Sequence, residues 1–265
     1  MKSSLLIRIA APILFGVVLI LLWEFLVRHF QVRVFVLPPP SAIWASLIEN
    51  FPSLMGSLWF TFRITLLALV LATLGGVALA FLFTTSRAAE TTLFPYAVVL
   101  QVTPVVSIAP LILIWVGVDH VERALLILAW IVAFFPILSN TVFGLKSVDP
   151  NLRDLFRIYG ASRWQVLLRL NIPSALPNFL AGLKISGGLS LVGTVVAEFV
   201  AGSGGSTGLA WRIMEAGNRL QIPKMFAALL LLSVLGIAIY FSLSALEHLL
   251  LRRWHASAWR SGSVL

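Results

Sequence analysis

Six apolar runs along 265 residues constrain this chain more than any other feature. They cover about Ile9 to Val27, Ser57 to Phe83, Leu93 to Val116, Glu122 to Phe143, Ala175 to Val200 and Phe226 to Leu251. Each is near the ~20 residues a helix needs to cross about 30 Å of hydrocarbon. Inside lipid every backbone N–H and C=O must find a partner within the protein, which leaves helices or closed barrels. Barrel strands are ~10-residue segments of alternating polarity, a different pattern. The expected fold is therefore an all-α membrane protein of six transmembrane helices, one domain over residues 1–265.

The first run does not read as a removable signal peptide. Trp23-Glu24-Phe25 stands where a small-residue cleavage site would be expected, so a retained membrane helix is the better reading. Between the first two runs, residues 38–52 form a Pro stop and a short amphipathic helix lying along the outer membrane surface, with Ser41 as a candidate cap.

Composition removes several function classes. Cysteine is absent, which excludes disulfides, thiolate catalysis and cysteine metal sites. A net charge of +9 could suggest nucleic acid, but in a membrane chain basic excess belongs to the inner loops, and no nucleic-acid partner is expected. With the N-terminus inside, the inner segments hold eleven Lys and Arg, the outer segments six, and Arg63 and Lys184 lie within runs. Both termini are thus expected in the cytoplasm.

The runs are patterned. Ala68, Ala72, Gly76 and Ala80 recur every four residues, a small-residue ridge that lets another helix approach. Asn178, Gly182, Ser186, Ser190, Thr194 and Glu198 repeat that spacing with polar groups. That second ridge admits two readings, the lining or gate of an aqueous path, or helix–helix glue. Arg63 and Lys184 are either interfacial anchors or part of a path. Pro95, Pro104 and Pro110 kink or break the third run.

The segment from Asp149 to Pro173 interrupts the apolar chain. Leu155, Ile158, Trp164, Leu167 and Leu168 interleave there with Arg153, Arg157, Arg163 and Arg169. This pattern predicts two short helices parted at Gly160-Ala161-Ser162, where Gly permits reversal and Ser162 caps the second. Asp149-Pro150 ends the fourth run, and Pro173 and Pro177 lead into the fifth. A basic helix resting on anionic lipid is the plainer alternative.

These residues resemble the EAA loop of permease subunits of bacterial ABC importers. Asp154, Gly160, Ala161, Ser162, Pro173, Pro177 and Gly182 stand at matching places, while Asp154-Leu155-Phe156 departs from Glu-Ala-Ala and Ile172 replaces Leu. Leu37-Pro38-Pro39-Pro40-Ser41, Arg63, Pro110-Leu111 through Trp115-Val116-Gly117, and Ala197-Glu198 followed by Ser206-Thr207-Gly208-Leu209 resemble the nitrate/sulfonate/taurine-type branch. The resemblance implies a type I importer permease in the bacterial inner membrane, working as a homodimer with ATPase subunits and an extracytoplasmic solute-binding protein. It also implies that the loop, with Asp154, Arg157, Gly160, Ala161, Ser162 and Arg163, is a coupling helix seated on the ATPase. Where that branch often carries Arg-Pro-x-Pro-Pro, this chain has Gln101-Val102-Thr103-Pro104-Val105. That form resembles relatives for thiamine-pyrimidine precursors or other aromatic nutrients, with sulfonate, taurine or nitrate anions as the alternative.

No G-x-x-x-x-G-K-[ST] occurs, and Gly202-Ser203-Gly204-Gly205 lacks the Lys and reads as a flexible outer turn. No cofactor is expected in this chain, with ATP and Mg²⁺ held by the partner. Two rival classes fit less well. An intramembrane enzyme lacks a metal or nucleophile constellation, since His29, His120, His248 and His255 lie far apart without H-E-x-x-H spacing. An autonomous secondary transporter needs ionisable groups near the midplane; Arg63, Lys184 and Glu198 lie nearer the ends of their runs, and such a protein has no use for a Gly-broken docking loop.

Overall fold

The computed structural model describes residues 2–201 and 207–252, all of whose regular structure is helical. The turn Gly202-Ser203-Gly204-Gly205, Ser206, and the C-terminal Arg253, His255 and Arg260 lie outside the described residues. In chain order the helices are α1 (Lys2–His29), α2 (Pro40–Glu49), α3 (Phe51–Thr85), α4 (Arg87–Val102), α5 (Val105–Val116), α6 (Val121–Lys146), α7 (Pro150–Ile158), α8 (Arg163–Val166), α9 (Ile172–Ala201), α10 (Leu209–Asn218) and α11 (Ile222–Leu251). A 3₁₀ turn, Val118–His120, precedes α6, and a π-helical turn, Leu167–Asn171, joins α8 to α9.

Among the described residues, five stretches are long and apolar enough to span a membrane: Ala10–His29, Phe51–Thr85, Val121–Lys146, Arg163–Ala201 and Ile222–Leu251. The third expected run forms a span only as a bent pair, because α4 and α5 meet at 103°. Of its three prolines, Pro104 alone makes the break; Pro95 and Pro110 remain inside their helices. The physical cause is the residue before the ring. Thr103 is pushed out of the helical region to φ −70°, ψ 123°.

Two further boundaries differ from the sequence expectation. Ser41 is not a cap: α2 opens on Pro40 with Pro39 in the cap position, as suits a ring whose φ is preset and whose N–H is absent. Ser41 instead donates its backbone N–H to Glu24 Oε2 at 3.0 Å and its hydroxyl to Glu24 Oε1 at 2.8 Å, so an α1 carboxylate serves the α2 terminus. Asp149 does not end the fourth run, since α6 stops at Lys146 and the Asp149 carboxylate caps α7 by accepting from the Asn151 N–H at 2.8 Å.

The chain divides into two compact units, Met1–Trp59 with Thr207–Val234, and Phe60–Ser206 with Leu235–Trp254. In the first, Ile43 and Leu47 of α2 bury against Leu54, Leu209, Ala227 and Ala228. Its helix α10 is tied down through Arg212, which donates to Ser57 Oγ at 3.1 Å and pairs with Glu215 at 2.8 Å.

The second unit is built on the α6–α9 pair. These helices approach so closely that a Cβ has no room at three glycines. At Gly144 it would lie 2.9 Å from the Ala175 backbone, at Gly182 2.8 Å from Asn140 Cβ, and at Gly193 2.9 Å from Ala129 Cα. The small-residue ridge of α3 packs on the same core: Ala68, Ala72 and Ala80 are buried, and a Cβ on Gly76 would press Ile137 at 2.9 Å. With no hydrophobic force separating helix from lipid, such backbone proximity supplies the dispersion contact that holds spans together.

Candidate functional site

The loop between α6 and α9 is shaped by two complementary stop signals. Helix α7 ends in a Schellman turn: the Ala161 N–H bonds the Phe156 carbonyl at 3.0 Å and the Gly160 N–H bonds the Arg157 carbonyl at 3.0 Å. That turn needs a left-handed residue, and Gly160 provides it at φ +66°. Two residues later Ser162 starts α8 with a capping box. Its hydroxyl accepts from the Gln165 N–H at 3.3 Å, and the Gln165 side chain accepts from the Ser162 N–H at 2.8 Å. The expected reversal and cap are both present.

The expected second helix is not a separate element. α8, the π turn and α9 run continuously from Arg163 to Ala201. Pro173 has no N–H for the carbonyl four residues back, and the helix widens in the turn before it, at Leu167–Asn171. The result mechanically joins the loop to the long helix behind it. Asp154, Arg157, Gly160, Ser162 and Arg163 are exposed and Ala161 is partly so. Large apolar groups accompany them in solvent: Ile158 is 80% exposed, Tyr159 81% and Trp164 72%. A segment with apolar and cationic side chains both uncovered has the make-up of a contact surface.

The polar ridge of α9 is brought together and sealed. Ser186, Ser190, Thr194 and Glu198 are fully buried. The Ser186 hydroxyl donates to the Ala133 carbonyl of α6 at 2.7 Å. From α3 the Thr65 hydroxyl donates to Thr194 at 3.2 Å, and the Thr61 hydroxyl donates to Glu198 Oε1 at 2.8 Å. Asn178, nearer the loop, is half-buried beside Gly144. Thr61 and Thr65 were missed in the sequence, although their four-residue spacing matches the ridge they meet.

Arg63 and Lys184 are not part of that seam. Arg63 pairs with Glu122 of α6 at 2.7 Å, both groups being substantially exposed. Lys184 pairs with Glu247 of α11 in half-buried surroundings, beside the Tyr240 ring. The signal for both acids was available. A charge in an apolar run requires a counter-charge, and the chain has only ten Asp and Glu from which to draw it.

The family model for the binding-protein-dependent transport system inner membrane component matches residues 72–255. The chain belongs to that family. Among curated relatives, the formylaminopyrimidine transport permease protein ThiX of Halalkalibacterium halodurans is 32% identical over 91% of this chain and 94% of its own length. The putative aliphatic sulfonates transport permease protein SsuC of Bacillus subtilis is 32% identical over 84% of this chain and 80% of its own. The crystal structure of an amino acid ABC transporter matches with a TM-score of 0.65 at 20% identity, covering 79% of this chain and 97% of that one. The fold is that of type I importer permeases, and the chain is an ABC importer permease subunit of the inner membrane.

Proposed function

We propose that residues 149–173 dock this permease on a separate ATPase subunit and that two copies of the chain enclose the path. The carrying observation is the exposed α7–Gly160–α8 turn, in which Ile158, Tyr159 and Trp164 stand uncovered beside Arg157 and Arg163. Apolar anchors ringed by cations suit a groove with acidic margins. The excess of Lys and Arg on this side of the spans supports a cytoplasmic loop and cytoplasmic termini. ATP and Mg²⁺ belong to the ATPase, and a solute-binding protein delivers cargo on the other side.

In this reading ATP-driven closure of the ATPases moves α7 and α8, and the continuous Arg163–Ala201 run carries that motion into the membrane. The α6–α9 pair moves as one body because its glycine contacts leave no slack. Ser186 serves as glue between α9 and α6, and Thr194 and Glu198 as glue between α9 and α3. Reversing both Arg157 and Arg163 to Glu, in the permease–ATPase complex reconstituted with its binding protein, should abolish uptake while ATP hydrolysis persists. Unchanged uptake would refute docking through this loop.

For cargo we favour a pyrimidine-type or other aromatic nutrient. Support comes from the Gln101-Val102-Thr103-Pro104 form at the α4–α5 break and from the relative that transports formylaminopyrimidine. The sulfonate relative, equally identical, supports a small organic anion instead. Thermal-shift titration of the binding protein with both classes separates the two.

A further inference from the structure

A cleft of about 640 Å³ opens where α3 ends, α4 begins and α6 ends. Its size falls within the ordinary range for small-ligand sites. The floor is aromatic: Phe83, 2% exposed, meets Phe94 edge-on at 6.2 Å, with Pro95 alongside. The rim carries Arg87, Glu90 and Lys146. Lys146 Nζ lies 2.5 Å from Glu90 Oε1, so that carboxylate is engaged. Arg87 is exposed, and its guanidinium has no hydrogen-bond or ion-pair partner among the described residues. Two cations against one acid leave a net positive rim with an uncommitted guanidinium, whose planar fork suits phosphate oxygens.

The other rim groups narrow the chemistry. The hydroxyls of Thr84 and Thr91 already donate to the Phe81 and Arg87 carbonyls, each at 2.9 Å. The α4 terminus is likewise engaged, since the Ala89 N–H bonds Ser86 Oγ at 3.2 Å. Recognition must therefore rest on the cations above and the aromatic floor below. Arg87 follows the last residues of one span and Lys146 closes another. A basic residue at the end of a span belongs at the depth of lipid headgroups, where basic pockets between spans hold anionic lipid.

We infer that the Arg87–Lys146 cleft binds a phosphate-bearing anion, supplied by an anionic phospholipid whose headgroup meets the cations and whose glycerol end covers Phe94 and Pro95. The bound lipid would lie three residues before Asp149, the cap of α7, at the base of the loop. The inference is independent of ATPase docking, because the test reads binding alone.

The permease is placed in nanodiscs of phosphatidylcholine containing a minor fraction of phosphatidylglycerol, and retained lipid is counted per chain by mass spectrometry. Wild type should retain phosphatidylglycerol. Arg87→Gln should retain it about five-fold more weakly, the expected effect of one basic group at a membrane surface. Glu90→Gln frees Lys146 and should bind about five-fold more tightly, an opposite change that a misfolded variant cannot mimic. In a second arm, inorganic phosphate is titrated into phosphatidylcholine discs while thermal unfolding is followed. Arg87-dependent stabilisation there, without phosphatidylglycerol retention, would keep the phosphate chemistry and assign a soluble source. Equal retention by all three chains with no phosphate effect overturns the inference. So does weaker retention by Glu90→Gln.

Discussion

The close approach of α6 and α9 can be tested by adding one carbon at two glycines of the same helix. An alanine at Gly182 would place its Cβ 2.8 Å from Asn140 Cβ and 2.9 Å from the Pro136 carbonyl oxygen, whereas at Gly188 a Cβ meets nothing within 4 Å. Both obstacles at Gly182 are fixed to the backbone, so no rotamer change relieves them. Each substitution gains a similar helix propensity, about 1 kcal/mol, and that term cancels in the comparison. What remains is overpacking at Gly182 alone, typically about 1–3 kcal/mol. For a chain near this size each kcal/mol moves the melting temperature by roughly 2–4 °C. Gly182→Ala should therefore melt roughly 2–12 °C below Gly188→Ala, both read by circular dichroism on the purified permease in one detergent. If Gly182→Ala is as stable as Gly188→Ala, the two helices have slack, and the single moving body proposed above cannot stand.

Other outcomes follow from the site geometry. Ser162→Ala removes the capping box and should cost about 0.5–2 kcal/mol locally, seen as weaker co-purification with the ATPase while the permease stays folded. Lys184→Met leaves Glu247 half-buried without its cation, so it should be more destabilising than the double change Lys184→Met with Glu247→Leu; equal losses in denaturant titration would mean the pair is not coupled. The Glu215 carboxyl is held below its ordinary value, chiefly by its hydrogen bond from Arg212 against some desolvation, with Arg212, Arg219 and Lys224 adding charge attraction. Because the folded value is the lower one, this contribution is present above the ordinary carboxylate range and fades as pH falls through that range to the folded value. Wild type should accordingly lose its thermal advantage over Glu215→Gln on acidification; an advantage that persists in acid would place its origin elsewhere.

Local features could be read from the sequence because they act within a turn or two. Apolar runs of membrane-spanning length, the reversal at Gly160, the cap at Ser162 and the alanine ridge of α3 depend on neighbours three or four residues away. The same is true of a proline break in the third run, although Pro104 and not Pro95 or Pro110 makes it. The path from α8 through a π turn into α9 was less legible, since Pro173 could equally have ended the helix.

Long-range pairing was decided by the tertiary structure. The spacing of Ser186, Ser190, Thr194 and Glu198 put a polar stripe on one helix face. Only the fold brought Thr61, Thr65 and the Ala133 carbonyl against it and closed it to solvent. Glu122, Glu247 and Glu90 were matched to Arg63, Lys184 and Lys146 by helix packing across separations of 56 to 63 residues. Periodicity alone establishes that a helix has a face, since it follows from 3.6 residues per turn. Which surface covers that face depends on how spans distant in sequence stack, and here three glycines on α6 and α9 set that stacking.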